Sequence, residues 1–128
     1  MNKRTILLVE DDQYNRDILH EILEEIEHCQ VVEATNGVEA LEWLNRHAQP
    51  DLVLLDMMMP QMDGYALLSQ LQQAGEMPGL LVIGISARAQ SDDQDKALAA
   101  GCWRYLTKPF NISEVESVVN EALDRGSA

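Results

Sequence analysis

Hydrophobic positions along the chain follow two alternating rhythms. The first is a set of short apolar runs, "TILLVE", "QVVEA", "DLVLLD", "LLVIGIS" and "WRYLT". The leading four are rich in Val, Ile or Leu, as strands buried on both faces require. Between the runs, apolar residues recur at the spacing of a helix face. One stripe is Ile18, Leu19, Ile22, Leu23 and Ile26; a second is Leu41, Leu44 and Ala48; a third is Leu67, Leu68, Leu71 and Ala74; the clearest is Val115, Val118, Val119, Ala122 and Leu123. A helix near residues 91–100 offers only Ala97, Leu98 and Ala100 to a core, so it is expected to be loosely held. Two helix starts carry a capping pattern, Asn36 with Glu39 and Asn111 with Glu114.

Strict strand–helix alternation implies a parallel sheet with right-handed crossovers and helices on both faces. The expected fold is α/β: a flavodoxin-like three-layer fold, its five-stranded parallel sheet in the order 2-1-3-4-5 with five helices. That order is taken by analogy with other five-stranded folds of this class, and it sets the ends of strands 1 and 3 side by side. The chain, 128 residues and 46% apolar, fits one domain over 1–128 with a frayed tail at about 125–128. Nine basic residues against 22 acidic ones give a net charge of -13, which argues against binding nucleic acid or an anionic membrane. Cys29 and Cys102 form no C-x-x-C pair, and no apolar run reaches membrane-spanning length. Reduced thiols in a cytoplasm are the expectation. "MNKRTILLVEDD" has acids directly after its apolar run and does not read as a signal peptide.

An acid at the exit of a hydrophobic strand needs a reason, and strand 3 ends in Asp56 while strand 1 runs into Glu10, Asp11 and Asp12. If the two ends are neighbours, mutual repulsion raises the carboxyl pKa values unless a cation is present. Mg²⁺, which takes one or two carboxylates with waters and a phosphate, suits such a crevice; no calcium-loop pattern exists here. Glu10 to Asp12 read alone are equally an acidic patch at a helix N-terminus. Strand 4 finishes at Ser86, whose hydroxyl can bond a phosphoryl oxygen, and strand 5 runs into Lys108, whose ammonium can clamp one. Singly, such a serine is commonly a turn residue and such a lysine a solvated one. Pro109 permits a cis peptide after Lys108.

With those residues in view, "ILLVEDDQYNR", "LLDMMMPQMDG", "ISA" and "YLTKPF" resemble, in order, the signature segments of the CheY-like receiver domain of two-component response regulators. The intervals from Asp56 to Ser86 and from Ser86 to Lys108 match as well. The resemblance implies that Asp56 is the phosphoacceptor and takes its group from a phosphohistidine of a histidine kinase or histidine phosphotransfer protein. It further implies that Glu10, Asp11, Asp56 and the Met58 carbonyl hold Mg²⁺, and that Ser86 and Lys108 bind phosphoryl oxygens. Asp12 becomes a helix cap beside the metal pair. Ser86 and Tyr105 form a switch that reshapes the face of helix 4, strand 5 and helix 5 for an unnamed downstream protein. Such a protein is a phosphoacceptor rather than an enzyme, catalysing only its own phosphorylation and slow dephosphorylation. It is a monomer or a phosphorylation-dependent dimer.

Some features depart from the commonest family pattern. Glu10 stands where Asp is more usual, Ser86 replaces a frequent Thr, and Met58 and Arg88 occupy variable positions beside the site. Trp103 reads equally as a partner-binding anchor or as packing over the sheet edge. His20, His28 and His47 are expected on helices as surface or boundary residues. Alternative readings are a receiver excised from a hybrid histidine kinase and acting as a phosphorelay intermediate, and a pseudo-receiver interaction module. A haloacid-dehalogenase-type phosphatase needs a D-x-D and a cap domain, and a flavin carrier needs a phosphate-cradling loop where acids stand here.

Overall fold

The structure is a computed structural model that describes residues 3–87 and 91–126. Five strands alternate with five helices: β1 (Arg4–Val9), α1 (Gln13–Glu24), β2 (Cys29–Ala34), α2 (Gly37–Arg46), β3 (Leu52–Asp56), α3 (Gly64–Gln73), β4 (Val82–Ser86), α4 (Ser91–Ala99), β5 (Arg104–Thr107) and α5 (Ile112–Gly126). The strands form one parallel sheet in the order β2-β1-β3-β4-β5, as expected.

Alternate residues of each central strand face opposite layers. Ile6, Leu8, Leu52, Leu54, Ile83 and Ile85 pack against Leu19, Ile22 and Leu23 of α1 and Val115, Val119, Ala122 and Leu123 of α5. Leu7, Val9, Val53, Leu55 and Val82 pack against Ala40 of α2, the leucines of α3 and Ala97 of α4. This double burial explains the unbroken apolar runs, because a strand covered on both sides has no position for a polar residue until it leaves the sheet. At the opposite end of the sheet Arg4 Nη1 donates to the Leu123 carbonyl, tying the first strand to the last helix.

The helix stripes need three corrections. Ala48 is exposed and lies past the end of α2, where the His47 ring stacks on Trp43 at 4.3 Å and its Nδ1 lies 2.8 Å from the Trp43 carbonyl. Ala74 is the exposed C-cap of α3; Gly75 follows with φ 72°, a left-handed conformation that ends the helix. Leu98 is 39% exposed, leaving Ala97 as the buried contribution of α4. His28 is also not helical: it sits in the turn before β2 with φ 63°.

Caps follow the sequence closely. Asn111 accepts from the Glu114 N–H at 3.2 Å and Asn36 from the Glu39 N–H at 2.9 Å. The Glu39 carboxylate reaches back to the Thr35 N–H, one residue earlier than a standard capping box. Asp12 and Asp63 cap α1 and α3 in the same manner. Cys29 and Cys102 are free thiols, and among the described residues no helix is long and apolar enough to cross a membrane.

Candidate functional site

Register delivers the acids to one place. Val9 pairs with Leu55, so Glu10, one residue further, emerges beside Asp56. Asp56 pairs in turn with Ile85, which places Ser86 one residue beyond on the neighbouring strand, and Ser86 pairs with Thr107, which precedes Lys108. Four segments distant in sequence thus end at the same edge of the sheet. Glu10, Asp56 and Ser86 are all buried, the only polar or charged side chains among the described residues that are.

Side chains converge as the strand ends do. Oxygens of Glu10, Asp11 and Asp56 lie within 4.8 Å of one another. The Lys108 ammonium is 2.9 Å from Glu10 Oε1 and 3.1 Å from Asp56 Oδ2. Asp56 Oδ1 accepts the Met58 N–H at 3.0 Å, and Glu10 Oε2 accepts the Asp12 N–H at 3.1 Å. Burial, then the Asp56 carboxylate alongside, push the Glu10 carboxyl up to about 7 against the opposing pull of Lys108. For Lys108, burial works to lower the pKa, but the hydrogen bond to Glu10 and the Asp56 charge outweigh it and hold the ammonium above its ordinary value. Lys108 is thus the charge partner of Glu10 Oε1, and Glu10 itself is fully buried. Three carboxylates that meet at one edge of the sheet with a single ammonium among them form a set of hard oxygen donors that fits a divalent cation.

Neighbouring packing leaves Asp56 little freedom. Met57 follows it into the core, its N–H bonded to the Ile85 carbonyl at 2.8 Å. Its side chain lies in a slot between two glycines. A Cβ on Gly64 would fall 2.7 Å from the Met57 sulfur, and one on Gly84 would fall 3.3 Å from Met57 Cγ and 2.9 Å from the Cys102 sulfur. Met57 and Met59 are therefore filling, as expected of flexible thioethers, whereas Met58 is 44% exposed at the mouth of the site. The Lys108–Pro109 peptide is cis. Tyr105 is half-buried against the core layer beneath α3 and α4. Trp103 packs on the α5-side core, with the guanidinium groups of Arg104 and Arg125 at 4.2 and 5.5 Å from its ring. Arg88 lies outside the described residues.

A family model described as the response regulator receiver domain matches residues 6–120. The chain belongs to the response regulator receiver family. Among similar proteins, the receiver is 37% identical over 120 residues to the chemotaxis protein CheY of Halobacterium salinarum, covering 94% of this chain and 97% of that one. It is 36% identical over 124 residues to response regulator Rre1 of Synechocystis, covering 97% of this chain but 53% of the relative, so it spans about half of that protein's length. The receiver domain of the Francisella response regulator 1452 superposes with a TM-score of 0.86 at 31% identity, covering 96% of this chain and 98% of that one.

One residue of the receiver's site has no role in the sequence reading. Arg16, one turn into α1, donates from Nη1 to the carbonyls of both Glu10 and Asp11. The signal available was a basic residue shortly after an acidic triplet in a strongly acidic chain.

Proposed function

We propose that this receiver accepts a phosphoryl group on Asp56 from the phosphohistidine of a histidine kinase or histidine phosphotransfer protein in the cytoplasm. A single observation carries the reading: a buried carboxylate at a strand exit, 3.1 Å from an ammonium and within 4.8 Å of two further acids. An Asp56 carboxylate oxygen attacks phosphorus, the phosphorus–nitrogen bond of the donor breaks, and the freed imidazole leaves with a proton from solvent. Lys108, already beside Asp56, meets the incoming anion, and the Ser86 hydroxyl donates to one of its oxygens. Glu10 and Asp11, with the Met58 carbonyl, would hold Mg²⁺, which supplies Lewis-acid neutralisation of phosphoryl charge when bound. The product is an acyl phosphate that water slowly cleaves, and the chain acts on no other substrate.

The phosphoryl group brings roughly -1.5 to -2 of charge at pH 7 where the Asp56 carboxylate carried -1, and this gain then biases the thinly held side of the domain. Ser86 moves toward the phosphoryl group, Tyr105 fills the vacated space, and the face of α4, β5 and α5 presents a different surface to a protein partner. The test is incubation with Mg²⁺ and acetyl phosphate followed by intact mass. The parent gains one hydroxylamine-labile phosphoryl group and Asp56→Asn gains none; equal uptake by both would overturn the assignment.

A further inference from the structure

We infer that Arg16 is a positioning residue of the Asp56 site: its guanidinium fixes the backbone of Glu10 and Asp11 so that both carboxylates stay beside Asp56. This rests on the phosphoacceptor reading above and adds to it a residue outside the acid, hydroxyl and lysine set.

A chain leaving a strand loses its ladder partners. At the end of β1 the Glu10 N–H is still held by the Ala34 carbonyl at 3.1 Å, but the next two carbonyls have left the sheet. Arg16 Nη1 takes both, at 2.9 Å from Glu10 and 3.3 Å from Asp11. Its own N–H bonds the Asp12 carbonyl at 2.9 Å, so the first turn of α1 sets where the side chain begins.

The far edge of the guanidinium is held as well. Arg16 Nε lies 3.8 Å from Glu33 Oε1 on β2, and the Arg16 side chain is 14% exposed. Glu33 Oε2 is 2.7 Å from His20 Nδ1, and His20 Nε2 is 2.6 Å from Glu24. Glu33 of β2, itself held by His20 of α1, is thus the ion-pair partner of the guanidinium that grips the loop. Arginine meets the two carbonyls with Nη1 and faces Glu33 with Nε, whereas lysine has a single nitrogen and cannot present separate groups to the two places at once. Without that grip, repulsion among three crowded carboxylates in a chain of charge -13 rotates the two peptide units and lets the exposed Asp11 swing away from Glu10 and Asp56.

The test uses the full chain and three readouts: Mg²⁺ affinity by calorimetry, Tm without Mg²⁺, and backbone amide NMR spectra without Mg²⁺. Arg16→Gln is expected to weaken Mg²⁺ binding about 10- to 100-fold, the usual effect of removing a group that orients a metal ligand. The Glu10 to Asp12 amide resonances shift while those of β4 and β5 stay in place. Arg16→Lys restores part of the affinity. Glu33→Gln, which frees the far edge but keeps the arginine, shows a smaller loss in the same direction and decides the matter if Arg16→Gln fails to fold. Parental affinity in Arg16→Gln, or in Glu33→Gln should that variant alone fold, overturns the Arg16 assignment while a parent that binds Mg²⁺ and takes up phosphoryl leaves the phosphoacceptor reading standing. A parent that does neither overturns that reading, and the assignment with it.

Discussion

The two sides of the site are built to different standards. On the β1–β3 side every residue from Ile6 to Glu10 and from Leu52 to Met57 is buried, and Glu10 and Asp56 are gripped through backbone and side chain alike. On the other side β4 is buried throughout, but beyond it the sheet ends in β5, whose only buried residue is Leu106, and α4 contributes Ala97 as its buried anchor. The difference separates tasks: groups that must meet a reacting phosphorus need fixed geometry, whereas an element that answers to a new charge needs two conformations close in free energy.

The contrast is broken most directly by truncating one leucine on each side. Leu54→Ala, on the fully buried strand, is expected to cost about 2–5 kcal/mol, whereas Leu98→Ala on α4 stays within about 0.5 kcal/mol. Urea unfolding of both variants checks this, and equal losses would erase the distinction.

A second experiment sharpens it electrostatically. The folded-state pKa of Glu10, pushed up to about 7, lies above its ordinary value of 4.5. The raised value favours the protonated fold, so this contribution is fully present below about pH 4.5 and is lost as pH climbs through about 7. Without Mg²⁺, stability should therefore fall over that window by about 3 kcal/mol, seen as a drop in Tm. Glu10→Gln should flatten the slope. Saturating Mg²⁺ should stabilise the parent more at pH 8 than at pH 6, since it binds deprotonated ligands. Identical slopes in parent and Glu10→Gln would locate the pH dependence elsewhere.

The smallest effect on stability is expected at Ser86. Ser86→Ala should change unfolding free energy by about 1 kcal/mol or less, and acetyl phosphate should still label Asp56. What it should lose is the phosphorylation-dependent change in hydrogen exchange across α4 and β5. Retention of that change would remove Ser86 from the switch.

What was legible in the sequence, and what was not, follows from the range of the interactions involved. β1, β3 and β4 were readable because covered strands must be apolar throughout, and the capping asparagines because a cap is satisfied within three residues. Ala48 and Ala74 were misplaced because alanine suits a buried or an exposed position equally, while the signals that end those helices are a ring stacked on Trp43 and a left-handed glycine. Glu10, Asp11, Asp56 and Lys108 could be gathered because the strand order brings their segments to one edge. Arg16 could not: its role depends on where two carbonyls point after β1, and its support depends on Glu33 of β2 meeting His20 of α1. Trp103 offered two readings, and the structure supplies partners from within the chain, a core face beneath and two arginines above.

The bond from Arg4 to the Leu123 carbonyl has a practical corollary for anyone wishing to watch this domain work. It brings the first strand and the last helix within one side chain of each other at the pole of the sheet away from Asp56. A fluorescent reporter attached beside Arg4 or Leu123 would stand clear of Asp56. A short peptide joining the start of β1 to the end of α5, with new ends opened in an exposed loop, should yield a circular permutant that keeps the Asp56 site whole.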